Sequence, residues 1–207
     1  MKAFIYTGGS INADNITEHP KGDDICIAAD SGYKNALALG EKVQILLGDF
    51  DSLEKRDIPK DIKRLEVPAE KDFTDTQLAV DTALKNGAKE IIIIGGLDGR
   101  LDHTLSNLAI LEDLNKKMIP SVITNGINRV RYINSTSTLI ARSAFKYLSV
   151  ITLSDKAKGV CIEGCKYPLK NAVISRDFQF AVSNEITGNC ALISVRKGGI
   201  YIIESNG

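Results

Sequence analysis

The sequence predicts an α/β fold in two parts, an N-terminal open parallel sheet flanked by helices and a C-terminal all-β sandwich. In the first half, short apolar runs alternate with helix-like stretches, which is the pattern of parallel strands that are covered on both faces. After about Pro120 the helix-like stretches disappear. Short β-branched segments separated by turn residues follow instead, as is typical of antiparallel sandwiches and barrels.

Four apolar segments of the first half are typical of buried strands, and each ends in Gly or Asp: residues 2–9, 24–32, 43–51 and 89–99. Helix-like stretches lie between or after them, at 33–41, 73–87 and 101–117. In the second of these stretches Thr74 and Gln77 have the spacing of a capping box, and Gly87 ends the helix. This alternation predicts a Rossmann-like sheet, in which helices connect parallel strands.

The second half contains nine short β-type segments between residues 121 and 205. The first of them, 121–126, is expected to be the last strand of the N-terminal sheet. The remaining segments are expected to form the sandwich. We therefore predict two domains, 1–126 and 127–207, and we expect ligands in the crevice between them.

Composition excludes several classes of function. The 207-residue chain has 26 basic and 26 acidic residues, so no net charge draws it to nucleic acid or to an anionic membrane. No apolar run has the roughly 20 residues of a membrane helix, and the start does not have a signal-peptide core. The four cysteines form no CxxC pair, which favours buried or incidental thiols over zinc. These features predict a cytoplasmic protein.

Small, polar and acidic residues follow the predicted strands of the first half, and the carboxyl ends of parallel strands share one edge of a sheet. Each acid alone also fits a turn or a helix cap. Together they would repel, since two carboxylates about 4 Å apart at an effective dielectric near 20 repel by about 4 kcal/mol. Oxygen ligands without paired histidines favour magnesium. The predicted metal ligands are Asp30, Asp49, Asp51 and Asp75.

Magnesium beside glycine-rich strand ends suggests phosphate chemistry. The P-loop pattern GxxxxGK[ST] and the dinucleotide pattern GxGxxG are both absent. The segment GGLDGRLDH instead places Arg100 where it could bind phosphate oxygens. His103 fits a phosphate donor, a general acid or a plain capping residue. A serine hydrolase is disfavoured because GxSxG is missing and the chain has two histidines.

Six short segments in order resemble the thiamine pyrophosphokinase family: AADSG, GDFDS, EKDFTDTQLA, GGLDGRLDH, KYPLKN and VSNE. The resemblance covers nearly the whole chain. It implies a diphosphokinase enzyme that transfers a diphosphate group from ATP to the hydroxyl of thiamine, with Mg2+, giving thiamine diphosphate and AMP. It also implies a homodimer whose active sites lie at the subunit interface.

The resemblance also implies roles for individual residues. The four predicted metal ligands would hold magnesium and the ATP phosphates, and Asp49, Asp51 and Asp75 would act in catalysis together with Lys71 and Asp72. Further contacts to ATP or thiamine are expected from residues in the same motifs: Asp30, Ser31, Ser52, Thr74, Gly96, Arg100, Asp102, His103, Ser183, Asn184 and Glu185. Of these, Ser183 and its neighbours would contact thiamine. The animal enzymes have a glutamine in place of Lys71 and cover thiamine with a tryptophan, which this chain does not contain.

Two alternatives stay open at this point. One is a related diphosphokinase that acts on another hydroxymethyl heterocycle such as a pterin, against which the VSNE segment speaks. The other is a catalytically silent nucleotide-binding protein, which the complete acidic cluster disfavours.

Overall fold

The computed structural model describes residues 1–48, 59, 62–66 and 73–206. The chain divides into two compact units, Met1–Gly126 and Ile127–Gly207. Within the part of the chain that is described, no helix is long and apolar enough to cross a bilayer.

Where the structure describes it, the first unit contains six parallel strands: β1 (Ala3–Tyr6), β2 (Ile25–Ala29), β3 (Ile45–Gly48), β4 (Lys63–Glu66), β5 (Ile91–Ile94) and β6 (Ser121–Thr124). Their order across the sheet is β4-β3-β2-β1-β5-β6, and every described pair is parallel. The parallel sheet of the prediction is therefore confirmed. The strand order reverses at β1, which pairs with β2 on one side and with β5 on the other.

The described residues form three α-helices beside this sheet: α1 (Gly32–Ala38), α2 (Asp75–Lys85) and α3 (Leu101–Lys116). Helix α1 places Tyr33 and Ala36 in the same core cluster as Phe4 and Tyr6 of β1. Helix α2 packs against β1, β2 and β3, and α3 packs against β6. A short 3-10 helix, Ala13–Asn15, follows β1.

Strand β4 is a finding that the sequence pattern does not predict. Its sequence, KRLE, is mostly polar, and Lys63 and Arg64 are exposed. This strand lies at the edge of the sheet, where one side has no neighbouring strand and charged residues are favoured. A search for apolar runs therefore misses it.

The second unit contains seven antiparallel strands: β7 (Asn128–Asn134), β8 (Ser137–Ala141), β9 (Tyr147–Ile151), β10 (Lys156–Glu163), β11 (Leu169–Ser175), β12 (Cys190–Ser194) and β13 (Gly199–Ser205). One sheet has the order β7-β13-β9, and the other has the order β11-β10-β12-β8. Buried residues from both sheets, among them Ile200, Val150, Ile162 and Ile193, form one hydrophobic cluster.

Residues 180–185 (FAVSNE), one of the nine β-type segments predicted in the second half, do not form a regular strand. The segment makes one isolated bridge, between Leu148 and Asn184, and Ser183 has a positive φ of 55°. That backbone conformation is incompatible with an extended run.

The four cysteines are free. Cys26 lies in the core of the first unit, and burial raises the pKa of its thiol to about 11. Cys165 is buried in the second unit, and burial raises its pKa as well. Both thiols are therefore largely protonated and unreactive at neutral pH.

Truncation of a buried residue on α3 tests the packing of this helix on the sheet. Leu111 has no exposed surface, so Leu111→Ala is expected to lower the free energy of unfolding by about 2–5 kcal/mol, since it removes buried methyl groups and leaves a cavity. Leu105 on the same helix is 51% exposed, and Leu105→Ala is expected to change stability by less than about 0.5 kcal/mol. Urea unfolding followed by circular dichroism measures both values. Equal midpoint shifts for the two variants would contradict this packing.

Candidate functional site

A cavity of about 600 Å³ opens at the carboxyl ends of the strands in the first unit. Its lining comes from the segments after β1, β2 and β5, from the first turn of α2 and from the first two turns of α3. This is the position where β1 separates β2 from β5 and the strand order reverses. Ligands of open α/β sheets bind at such a reversal.

Four predicted site residues from two separate segments line this cavity. Asp30 and Ser31 follow β2, and Thr74 and Asp75 begin α2. The Thr74 hydroxyl accepts a hydrogen bond of 3.2 Å from the Gln77 backbone N–H, as the capping-box spacing predicts. Asp75 lies in the first turn of the helix, where a negative charge is favoured by the helix dipole.

Asp30 is held in an unusual backbone conformation at the end of β2. Its φ is 46°, a left-handed value that Asp tolerates better than most residues. The neighbouring strand β3 ends in Gly48, and a Cβ at that position would overlap the Asp30 carboxylate. Glycine at 48 therefore lets the end of β3 approach Asp30 closely, and Asp49 is the next residue of the chain.

Two glycine-containing loops, 7–9 after β1 and 95–96 after β5, form another wall of the cavity. They are joined by a backbone hydrogen bond of 2.9 Å from Gly96 N to Gly8 O. Gly96 has a φ of 68°, and a Cβ there would lie 2.5 Å from Asn107 Nδ2. The loops are therefore closely packed, and a side chain at Gly96 would disturb this packing.

Arg100 and His103 also line the cavity, at the start of α3. Arg100 forms an ion pair with Asp102, with 2.6 Å between Nη2 and Oδ2. Hydrogen bonds from Arg100 lower the pKa of the Asp102 carboxyl, so the pair is charged at neutral pH. Asp102 also accepts a hydrogen bond from the His103 backbone N–H and is not among the described lining residues.

Five predicted site residues lie outside the described residues: Asp49, Asp51, Ser52, Lys71 and Asp72. Of the four predicted metal ligands, the structure therefore describes Asp30 and Asp75. Among the described residues no group of three His, Cys, Asp or Glu side chains comes close enough to hold a metal ion. A complete carboxylate site would need the acids that follow β3.

The three site residues predicted in the second unit have different surroundings. Asn184 is 4% exposed; its side chain accepts from the N–H groups of Tyr167 and Glu185 and donates to the Tyr167 carbonyl. Ser183 is exposed, and its backbone N–H donates to the Ser149 hydroxyl at 3.0 Å. Glu185 forms an exposed ion pair with Lys166 at 3.3 Å. Asn184 thus holds the segment in place, while Ser183 and Glu185 face solvent.

Two family models match consecutive parts of the chain. Residues 18–123 match the model of the thiamin pyrophosphokinase catalytic domain. Residues 136–200 match the model of the thiamin pyrophosphokinase vitamin B1 binding domain. The chain belongs to the thiamine pyrophosphokinase family. The resemblance seen in the sequence motifs is thereby confirmed, and the protein is an enzyme of this family.

Individual members of the family resemble the chain over nearly its full length. It is 32% identical to the thiamine pyrophosphokinase of Bacillus subtilis over 97% of both chains. The crystal structure of the Bacillus subtilis thiamine pyrophosphokinase superposes with a TM-score of 0.88 over the whole of both chains, at 26% identity in the structural alignment. The thiamin pyrophosphokinase of Geobacillus thermodenitrificans gives a TM-score of 0.86 at 28% identity, covering 100% of this chain and 98% of its own.

Several polar residues of the cavity are not among the predicted contacts to ATP, thiamine or metal, although Asp98 is one of the acids expected at the strand ends. Thr7 and Thr76 both line the cavity, and their hydroxyl groups form a hydrogen bond with 3.2 Å between the oxygens. The Ser10 backbone N–H donates to the Asp98 carboxylate and is shared between its two oxygens, each at 3.0 Å. Asn107 is 4% exposed and donates to the Gly96 carbonyl at 3.0 Å. The sequence pattern could have indicated Asn107, because it is the one polar residue on a helix face otherwise formed by Ile110, Leu111 and Leu114.

A matched pair of glycine substitutions tests the close packing of the two loops. Gly96→Ala and Gly99→Ala both introduce a side chain at a positive φ, 68° and 75° respectively, which costs about 1–2 kcal/mol. At Gly96 the new Cβ would also crowd Asn107 and Thr7, whereas at Gly99 nothing lies within 4 Å. Gly96→Ala is therefore expected to lower the thermal midpoint more than Gly99→Ala. Identical melting curves would show that the loops are looser than described.

Proposed function

We propose that this family member catalyses the Mg2+-dependent transfer of a diphosphate group from ATP to the hydroxyl of thiamine, giving thiamine diphosphate and AMP. The observation that carries the proposal is the cavity at the strand reversal, because most of its lining residues lie in the part of the chain that matches the catalytic-domain model. The lining of the cavity combines carboxylates, hydroxyls and glycine-containing loops. These are the groups that hold a polyphosphate together with its metal ion.

The proposal divides the work between the two units. Residues 1–126 form a Rossmann-like domain that binds ATP and magnesium, which the reversal of strand order at β1 supports. Residues 127–207 form a β-sandwich domain that binds thiamine, which the core shared by the two antiparallel sheets and the vitamin B1 binding model support. The proposed assembly is a homodimer with active sites at the subunit interface, and it rests on the family resemblance.

The donor set fits magnesium. Asp30 and Asp75 supply carboxylate oxygens to the same cavity, and hard cations such as Mg2+ prefer oxygen ligands. Gly48 lets the end of β3 approach Asp30, which favours the participation of Asp49 and Asp51. Magnesium held there would supply positive charge that offsets the negative charge of a phosphate chain.

The residues of the chain itself would align the reacting groups. Diphosphate transfer depends mainly on positioning and on charge neutralisation, with little covalent participation by the protein. We assign the 7–9 and 95–96 loops and the first turn of α2 to holding the phosphate chain. Arg100 would exchange its exposed ion pair with Asp102 for phosphate oxygens, to which a guanidinium can donate two hydrogen bonds. Lys71 and Asp72, which precede the α2 cap, are proposed to act beside the reacting groups.

Ser183 and Glu185 are the proposed thiamine contacts of the second unit. Thiamine carries a flat pyrimidine and a cationic thiazolium, so a hydroxyl and a carboxylate near each other complement it. Ser183 is exposed and available for a hydrogen bond. The neighbouring Asn184 side chain holds the backbone of this segment through three hydrogen bonds to Tyr167 and Glu185. The role of Asn184 in binding would thus be indirect.

An assay of the purified protein with ATP, Mg2+ and thiamine tests the function directly. AMP and thiamine diphosphate are expected in equal amounts, and EDTA should abolish their formation. The same assay with a hydroxymethyl pterin in place of thiamine examines the alternative acceptor. ADP as the nucleotide product, or a faster reaction with the pterin, would refute the proposed reaction.

A carboxylate-to-amide change at the start of α2 tests the acidic wall of the cavity. Asp75→Asn keeps the shape of the side chain but removes a charged oxygen ligand, so kcat/KM is expected to fall by about a hundredfold or more. The matched control is Asp81→Asn on the same helix, because Asp81 bonds Gln77 and does not line the cavity. The control should keep nearly full activity. Equal activities of the two variants would remove Asp75 from the proposed metal site.

A pair of serine variants tests the thiamine contact. Ser183→Ala is expected to raise the thiamine KM about tenfold, as loss of one hydrogen bond worth roughly 1 kcal/mol or somewhat more implies, while the ATP KM stays unchanged. Ser135→Ala is the control, because Ser135 is also exposed and has a similar φ, 51° against 55°. Steady-state kinetics with each substrate varied in turn gives both constants. A raised ATP KM with an unchanged thiamine KM would place Ser183 elsewhere.

A further inference from the structure

Two asparagine side chains, one on α1 and one on α3, form hydrogen bonds with the loops of the cavity. Asn35 of α1 donates from Nδ2 to the carbonyl oxygens of Thr7 and Gly9, at 2.8 and 3.0 Å. Asn107 of α3 donates from Nδ2 to the carbonyl oxygen of Gly96, at 3.0 Å. These three carbonyls belong to the two loops that follow β1 and β5. We call Asn35 and Asn107 together the amide clamp.

The amide clamp and the loops form one connected network. Gly96 N donates to Gly8 O at 2.9 Å, so the loop held by Asn35 and the loop held by Asn107 are bonded to each other. The network therefore runs from α1 through both loops to α3. Movement of one loop would require a break in one of these hydrogen bonds.

Packing alone does not account for an asparagine at position 107. The side chain is 4% exposed and shares its helix face with Ile110, Leu111 and Leu114. A buried amide is unfavourable unless it is hydrogen-bonded, and leucine would suit this face on hydrophobic grounds. What the asparagine adds is a donor aimed at the Gly96 carbonyl.

A donor at that carbonyl matters for the binding of an anion. Backbone carbonyl oxygens carry partial negative charge, so a loop that turns them toward a phosphate repels it, whereas a loop that presents backbone N–H groups attracts it. A side-chain amide that holds the carbonyl fixes the peptide plane. It also offsets part of the carbonyl charge.

We propose that Asn107 and Asn35 are positioning residues, which fix the two loops in the conformation that binds the phosphate chain of the nucleotide. The inference rests on the proposed function, in that it takes ATP as the ligand of this cavity. Neither asparagine is assigned to the chemical step or to the binding of thiamine.

The experiment compares Mg·ATP binding by calorimetry in the wild type, Asn107→Leu and Asn107→Asp. Asn107→Leu keeps the size of the side chain but removes the donor, so the ATP Kd is expected to rise about tenfold, from the loss of one buried hydrogen bond. Asn107→Asp replaces the donor with an acceptor facing the Gly96 carbonyl, so its effect should be at least as large. In steady-state assays the ATP KM should rise while the thiamine KM does not change.

The matched control is Asn86→Asp. Asn86 also donates from its amide to a backbone carbonyl, that of Thr82 at 2.8 Å, but it lies at the end of α2 and outside the cavity lining. Its ATP Kd should equal that of the wild type. If Asn107→Leu fails to fold, Asn35→Leu tests the same network at a partly buried position.

The outcomes separate this inference from the proposed function. A wild-type protein that binds ATP but makes no thiamine diphosphate refutes the function and still allows the clamp to be tested. Unchanged ATP Kd in Asn107→Leu refutes the clamp and leaves the function standing. An equal rise in the ATP and thiamine constants together with a lower thermal midpoint assigns Asn107 to the core and overturns its positioning role. If the wild type does not bind Mg·ATP at all, both proposals fail.

Discussion

The position of β1 between β2 and β5 is the constraint on which the arrangement of the first unit depends. Its residues pair in parallel on both sides, Ala3 with Ile25 and with Ile91. The chain leads from β1 to β2 on one side and from β5 to β6 on the other side, so the segments that follow these strands separate and leave a gap. The cavity is that gap. The strands themselves are buried on both faces of the sheet. The polar residues that follow them are the first to leave this cover, and they therefore line the cavity.

The sequence was sufficient to predict the elements whose pattern is set by burial. Four consecutive isoleucines in β5 leave no alternative to a strand covered on both faces, and the cap of α2 at Thr74 follows from residue types alone. Strand β4 was missed because edge strands do not need apolar residues. The bend at Ser183 was missed because a positive φ at serine has no pattern in the neighbouring residues. Local rules thus predicted the central elements and failed where tertiary contacts decide.

The buried charged residues of the second unit are another feature that local sequence rules do not predict. Alternation along β7 is consistent with solvent-facing arginines, yet Arg129 is 5% exposed and Glu204, its partner in the strand register, is 2% exposed. The Glu204 carboxylate accepts hydrogen bonds from Arg131 and Ser143, and the Arg129 guanidinium stacks on Phe145 at 4.8 Å. Buried charges are tolerated when paired in this way. Sequence separation hides the pairing, because Glu204 lies 73 residues from Arg131.

The two-sided pairing of β1 also has a consequence for the order of events during synthesis. A ribosome makes β1 before β2 and long before β5, since Ile91 is the partner of Ala3. Until then one edge of a fully apolar strand, AFIY, has no hydrogen-bonding partner within its sheet. Exposed apolar strand edges are the parts of a nascent chain that aggregate or bind chaperones. The strand that defines the cavity of the finished protein thus waits for its second partner until residues 91–94 have been made.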